Sequence, residues 1–253
     1  MYDLQKAAIT KRISAFLLDI IAFSIAAVGF ILLITTVVGY DAQIEKYEAH
    51  YERYEQEYGI DRDITEEEFK SLTEEEQKKY EEAREKFKKD EAVFRDYQIL
   101  INLTLISVSI GLFLAFMLLE FAVPLFLRNG QTLGKKVFAI GVMRVDGVRV
   151  SPAIVFIRGI LGKYTIETMV PLSLGFMIVL GQMGIVGIAV LFLLLVLEIA
   201  LLICTKTNSL IHDALSQTVT VDLASQMIFD TTEEMIEYKK RIHAEAVERA
   251  GYN

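Results

Sequence analysis

The strongest constraint on this chain is the separation of its charge from four apolar runs, each about as long as a hydrocarbon core is thick. The runs are Ile13–Val38, Ile99–Leu127 (broken by Asn102 and Glu120), Tyr164–Leu180 (with Pro171 inside) and Met183–Thr205. Hydrophobic residues fill 53% of the 253 positions and mean hydropathy is +0.38, yet 24% of residues are charged. Both hold because the charge is concentrated. Residues 41–98 carry 11 of the 26 Lys+Arg and 20 of the 34 Asp+Glu, a local net charge of −9 against +1 for the remainder. The overall charge of −8 therefore belongs to one insert, and no basic nucleic-acid stripe is present. A soluble enzyme is excluded. The first run is too long for a signal peptide, and Val37-Val38-Gly39-Tyr40-Asp41 offers no small-residue cleavage site, so it reads as an uncleaved first span.

Short loops orient a membrane protein through Lys and Arg. Lys6, Lys11 and Arg12 precede the first run, and Lys206 follows the fourth. Arg128, Lys135, Lys136, Arg144 and Arg149 lie between the second and third, opposed only by Asp146, while the turn at Gly181-Gln182 has no charge. All the basic segments fall on one side if there are four spans. Both termini are then cytoplasmic, the acidic insert is outside, and the protein is a multi-pass component of the plasma membrane. The boundaries implied are 1–40 for the N-terminal segment and first span, 41–98 for the insert and 99–127 for the second span. They continue with a basic cytoplasmic loop over 128–152, an amphipathic lead-in and third span over 153–181, the fourth span over 182–205 and a cytoplasmic tail over 206–253.

The insert is too acidic to look ordered at first sight, with Glu at 15 of its positions. Its aromatic residues argue for order. Tyr47, Tyr51, Tyr54 and Tyr58 recur at helical spacing, and after Gly59 and the capping sequence Thr65-Glu66-Glu67-Glu68 a second stretch places Tyr80, Phe87 and Phe94 seven apart. We expect an antiparallel helical hairpin, a short coiled coil continuous with the flanking spans and projecting as a stalk. The Tyr stripe serves either as the seam between its two helices or as a ligand surface.

The basic loop opens with Gly130-Gln131-Thr132-Leu133-Gly134-Lys135-Lys136. The spacing is not that of a phosphate loop, and the segment follows a membrane helix instead of a strand. It is expected to be an interfacial turn in which Lys135 and Lys136 meet lipid phosphates. Residues 142–150 alternate around Asp146-Gly147, a β-hairpin signal, and Thr218-Val219-Thr220-Val221 is a further β-prone segment for the same small sheet. His212-Asp213, just before it, reads as a polar turn. Thr232-Glu233-Glu234 opens an amphipathic C-terminal helix set to lie on the membrane or on a partner. The single cysteine, Cys204, and three scattered histidines (His50, His212, His243) supply neither a disulfide framework nor a metal site, and nothing implies a cofactor.

Arg12 with Asp19 in the first run, Gly-Gln-Thr-Leu-Gly-Lys-Lys after the second, and His212-Asp213 before Thr-Val-Thr-Val together resemble the RDD family of membrane proteins. The resemblance covers residues 8–40 and 99–223 and leaves the insert outside. The arginine and two aspartates that name the family would fall on Arg12, Asp19 and Asp213. The resemblance implies a transport-related helical membrane protein, and it implies a fold more than a mechanism.

Ionisable residues within the runs cost roughly 2.5–3.5 kcal/mol each at a span centre, so they face partners or a watery cavity. Asp19, Glu120 and Glu198 each lie eight residues inside a basic residue (Lys11, Arg128, Lys206), which would set them at one depth, about 12 Å in. Glu167 joins them from the third run, with Arg158 and Lys163 able to approach. These acids either pair with Arg12, Arg158 and Lys163 to hold the bundle together, or line a cytoplasm-facing cation or proton site with raised pKa values. The expected molecule is thus an all-α membrane protein, a four-span helical bundle with an extracytoplasmic helical hairpin and a small cytoplasmic β element. Its expected function is membrane transport or cation/proton-linked exchange. The alternative is a non-catalytic scaffold or regulator of another membrane protein, acting through 41–98 and the tail. Four spans enclose little volume, so transport implies a homo-oligomer in the lipid bilayer. No catalytic residues are expected, because Ser, His and Cys do not converge.

Overall fold

Ile9–Val37 (α1) opens a chain that is helical almost throughout, because it combines long apolar stretches with no proline before Pro124. A computed structural model describes residues 4–127 and 129–251; Arg128, used above as a boundary marker, lies outside the described residues. Gly39, in the left-handed region at φ 71°, ends α1, and Tyr40–Tyr58 (α2) follows until Gly59, whose N–H caps the carbonyl of Glu55. Glu66–Ser71 (α3) and Glu74–Lys89 (α4) each begin with a capping box, Thr65 with Glu68 and Thr73 with Glu76. Glu91–Phe116 (α5) passes through a π-helical stretch, Met117–Ala122, into Val123–Phe126 (α6). Leu133–Val137 (α7) precedes the strand Ile140–Arg144 (β1). Pro152–Phe156 (α8), a second π-helical stretch at Ile157–Met169 and Val170–Val179 (α9) run on without a break. Gly184–Cys204 (α10), Ile211–Ser216 (α11), the strand Thr218–Asp222 (β2) and Thr232–Gly251 (α12) complete the order.

Among the described residues, three helical segments are long and apolar enough to cross a membrane: Ile9–Val37, Glu91–Phe126 and Gly184–Cys204. Their large apolar side chains, such as Ile25, Leu105 and Phe192, stay exposed, as expected where lipid is the solvent. The third apolar run differs from the other three. Its helix begins at Pro152, well before Tyr164, and is π-helical from Ile157 to Met169. Pro171 explains part of this: it offers no N–H and its ring crowds the carbonyl four residues back, that of Glu167. Pro124 stands in the same relation to Glu120, inside the other π-helical stretch.

The chain divides into two compact units. In the unit formed by Ala27–Leu114, Phe87 of α4 sits among Tyr47, Tyr51 and Tyr54 of α2, with ring centroids 6.4, 4.4 and 5.2 Å away. The hydroxyl of Tyr54 donates to Asp90 (3.1 Å), and His50 bonds Asp96 (2.8 Å). Tyr80 and Phe94 do not continue this seam. Tyr80 turns toward Phe69 of α3 and accepts the Asp61 N–H through its hydroxyl (2.9 Å), while Phe94 is 60% exposed. For Phe94 the reason is a break in the helix: α4 ends at Lys89, Asp90 caps α5, and the heptad phase is lost between them. Gly39 likewise interrupts the passage from α1 to α2, whereas α5 carries the last residues of the insert into the second apolar run without a break.

The other unit holds the rest of the chain, centred on an antiparallel pair in which Ile140 faces Asp222 and Arg144 faces Thr218. Both faces of this ribbon are covered: Leu4 and Ile228 pack on Met143, Val219 and Val221, and Phe121 and Ile154 pack around Val142, Val150 and Val155. The hairpin expected over 142–150 is only a turn. Gly147 adopts φ 97° and Arg144 bonds Val148, but the returning arm makes a single bridge to β1, Met143 to Arg149. Pro152, which opens α8, leaves that arm too short to build a ladder, and β2 takes the place beside β1. The ribbon is tied to the start of α1 through Ala7 N–H to Thr220 (3.2 Å) and Lys11 to Asp222 (2.6 Å).

Candidate functional site: a buried charge cluster

Asp213 is the centre of the cluster. It stands in the first turn of α11 and is 1% exposed. Its Oδ1 accepts the Nε–H of Arg158 (2.9 Å), lies 2.9 Å from that guanidinium's NH2, and accepts the Thr218 hydroxyl (3.0 Å). Arg12 reaches Oδ2 at 3.6 Å and donates to the carbonyl of Asn208 (2.8 Å). Burial pushes the Asp213 carboxyl up, but Arg158 together with the other basic groups nearby, His212 and Lys135, outweighs it and holds the group well below the usual carboxylate range. Gly162 makes the approach possible, since a Cβ there would stand 2.5 Å from the Cβ of His212.

His212 extends the cluster. Arg158 has only donors to offer, so its NH2, 3.0 Å from Nε2, fixes that nitrogen as the acceptor. Nδ1 then carries the proton and donates to Glu167, whose two oxygens are both 2.8 Å away. The His212 backbone N–H donates to the same carboxylate (2.7 Å). Burial, reinforced by Arg158, pushes the imidazole down to about 4. Glu198 on α10 accepts the Ile211 N–H (3.4 Å), next to the His212 N–H that Glu167 accepts.

Asp19 is held differently. Thr132, the N-cap of α7, donates its hydroxyl to Oδ2 (2.5 Å), and the N–H of Gly134 donates to Oδ1 (2.7 Å). The Gly-Gln-Thr-Leu-Gly-Lys-Lys segment is thus a cradle for a first-span carboxylate. Gly134 is required there, because a Cβ would lie 2.1 Å from the carbonyl oxygen of Ala15. Glu120 pairs with Lys163 (2.6 Å), joining the two π-helical stretches.

Three expectations are corrected by this geometry. Arg12 and Asp19 share a helix but not each other: Arg12 turns to Asp213 and Asp19 to the α7 N-terminus. Asp19, Glu120 and Glu198 take three separate sets of partners instead of facing one another. Lys135 is not at the lipid phosphates. It is 8% exposed, and its ammonium makes no hydrogen bond or ion pair among the described residues. Burial, with Arg158 and Lys163 nearby, lowers its pKa well below the ordinary lysine value. Lys136, one residue on, is exposed. Thr132, Thr218 and Asn208 were missed in the sequence. Only Thr132 carried a legible signal, as an N-cap ahead of Leu-Gly-Lys-Lys. Among the described residues, no group of three or more His, Cys, Asp and Glu could hold a metal ion.

Several apolar helices, a small two-stranded sheet and basic and acidic side chains gathered beside it define a helical integral membrane protein. The chain belongs to the RDD family, whose model matches residues 6–217. That match runs across the acidic insert and ends just before β2. No curated protein and no solved structure matches the chain.

Proposed function

We propose that this RDD protein is a plasma-membrane transporter that couples to a proton or monovalent cation through the buried charge cluster. The observation that carries this reading is Glu198. It lies in an apolar helix, its carboxylate accepts the Ile211 N–H next to the His212 N–H that Glu167 accepts, and among the described residues it forms no ion pair. An acid without an ion pair in a spanning helix marks a proton or ion pathway. Glu167 passes the chain of hydrogen bonds on to His212, Arg158 and Asp213. In this reading the helix from Pro152 to Val179 supplies a fourth span, both termini are cytoplasmic, the insert is outside and a homo-oligomer forms the pathway. The protein is not an enzyme and uses no cofactor.

The test is a proteoliposome assay in which purified protein dissipates an imposed pH or sodium gradient. Glu198→Gln and Glu167→Gln should abolish flux while the protein remains folded. Absence of flux in the unsubstituted protein would favour the second reading, a non-catalytic scaffold or regulator. That reading draws on the insert, whose own aromatic seam around Phe87 makes it a structured surface for a membrane-protein partner.

A further inference from the structure

The C-terminal helix α12 presents three faces of different chemistry. One is docked: Met235 is buried against Val148 and Phe229, and the Tyr238 ring lies 5.2 Å from that of Phe229. At 3.6 residues per turn, Ile236, Lys240, His243 and Val247 fall within an arc of about 60°, flanked by Lys239. Ile236 is 45% and Val247 58% exposed, the three basic residues are exposed as well, and an open groove runs along Ile236, Lys239, Lys240 and His243. Glu234, Glu237, Glu245 and Glu248 occupy a separate arc of about 80° that includes Arg241, and Glu233 lies at the border. An apolar stripe rimmed by cations, with the acids segregated away from it, is complementary to anionic lipid headgroups.

The attachment of α12 brings it to such a surface. Phe229, just before the helix, exchanges backbone hydrogen bonds with Gly147 (3.1 Å) and Arg149 (2.9 Å), and Arg149 pairs with Asp230 (2.6 Å). Those residues belong to the turn after β1, and β2 is tied to Ala7 at the threshold of the first membrane-spanning helix. We propose that the face of α12 formed by Ile236, Lys239, Lys240, His243 and Val247 docks on the anionic headgroup surface of the protein's own bilayer. The interaction is independent of transport and makes the helix responsive to lipid charge.

The experiment places an environment-sensitive fluorophore at Ala244→Cys in full-length protein, in a Cys204→Ser background, reconstituted in nanodiscs. The discs contain phosphatidylcholine alone or with phosphatidylglycerol. With the anionic lipid, emission should shift to the blue and be quenched by doxyl-labelled lipid, and high salt should reverse both effects. Each of Lys239→Glu and Lys240→Glu should lower the docked-to-free ratio by at least about fivefold, the factor for one cation at a charged surface. Both lysines are exposed, so neither change threatens the fold. Identical emission in neutral and anionic discs would overturn the proposal. So would a shift that follows the number of protein copies per disc, which would assign the face to a second copy.

Discussion

At the residue scale the cluster separates charges that are paired from one that is not. Asp213 depends on Arg158, so Arg158→Ala should leave a buried carboxylate uncompensated and cost about 3–5 kcal/mol. Lys135 is the reverse case, a largely buried side chain that forms no ion pair among the described residues, and Lys135→Met keeps its volume while removing the charge. Thermal denaturation in detergent should therefore show a large drop for the first and a rise for the second; a fall for Lys135→Met would mean that the amine has a bound counterion. His212 gives the pH dependence. Its folded pKa, about 4, lies below the unfolded value of about 6.5, so the unfolded chain takes up the proton more readily. Stability from this group is complete above about pH 6.5 and is lost as pH falls toward about 4, by on the order of 3 kcal/mol. His212→Gln should flatten the melting temperature across that window. An unchanged pH slope would show that the imidazole is not buried as a neutral group.

At the element scale, short pieces do the positioning. The five residues of α7 bring an N-terminal N–H and a capping threonine to Asp19, and the close crossing over Ala15 needs Gly134. Gly134→Ala should separate α7 from α1, break the bond to Asp19 and destabilise the protein strongly. Gly175→Ala in α9, where a Cβ meets nothing within 4 Å, should be neutral or slightly stabilising. Melting curves of the two variants decide the matter, and equal effects would refute the close-crossing argument. The π-helical stretches belong to the same scale. Each places a glutamate four residues before a proline, and the wider turn carries Glu120 and Glu167 to Lys163 and His212.

For the whole molecule, the charge of the loops predicts the topology. With four spans, an impermeant thiol reagent should label a cysteine at position 75 from outside, and at positions 147 and 240 only from inside. Labelling of position 147 from outside would overturn that arrangement. The insert is a separate question at this scale, because Ala27–Leu114 forms its own unit with its own aromatic seam, whereas the charge cluster lies wholly in the other unit.

Much of this molecule is written locally. Apolar runs of membrane length, loop charges, capping threonines such as Thr65 and the order Arg12, Asp19, Gly-Gln-Thr-Leu-Gly-Lys-Lys, Asp213 depend on neighbours in sequence, and they led to a helical RDD membrane protein. The partnerships of the cluster were not legible in that way. Arg12 meets a residue about two hundred positions away, and its helix face, which it shares with Asp19, gave no sign of the choice. The same holds for Lys135: sequence position set it beside a membrane helix, but only packing turned it inward while Lys136 stayed exposed. Periodicity misled where a break intervened, as between Phe87 and Phe94, since a heptad is meaningful only along one uninterrupted helix. Sequence by itself determined which segments leave water and where the helices can start and stop, because those are costs of transfer and of unsatisfied backbone groups. Tertiary structure decided which charges neutralise which, because electrostatic pairing in a low dielectric depends on distances that only the packed chain sets.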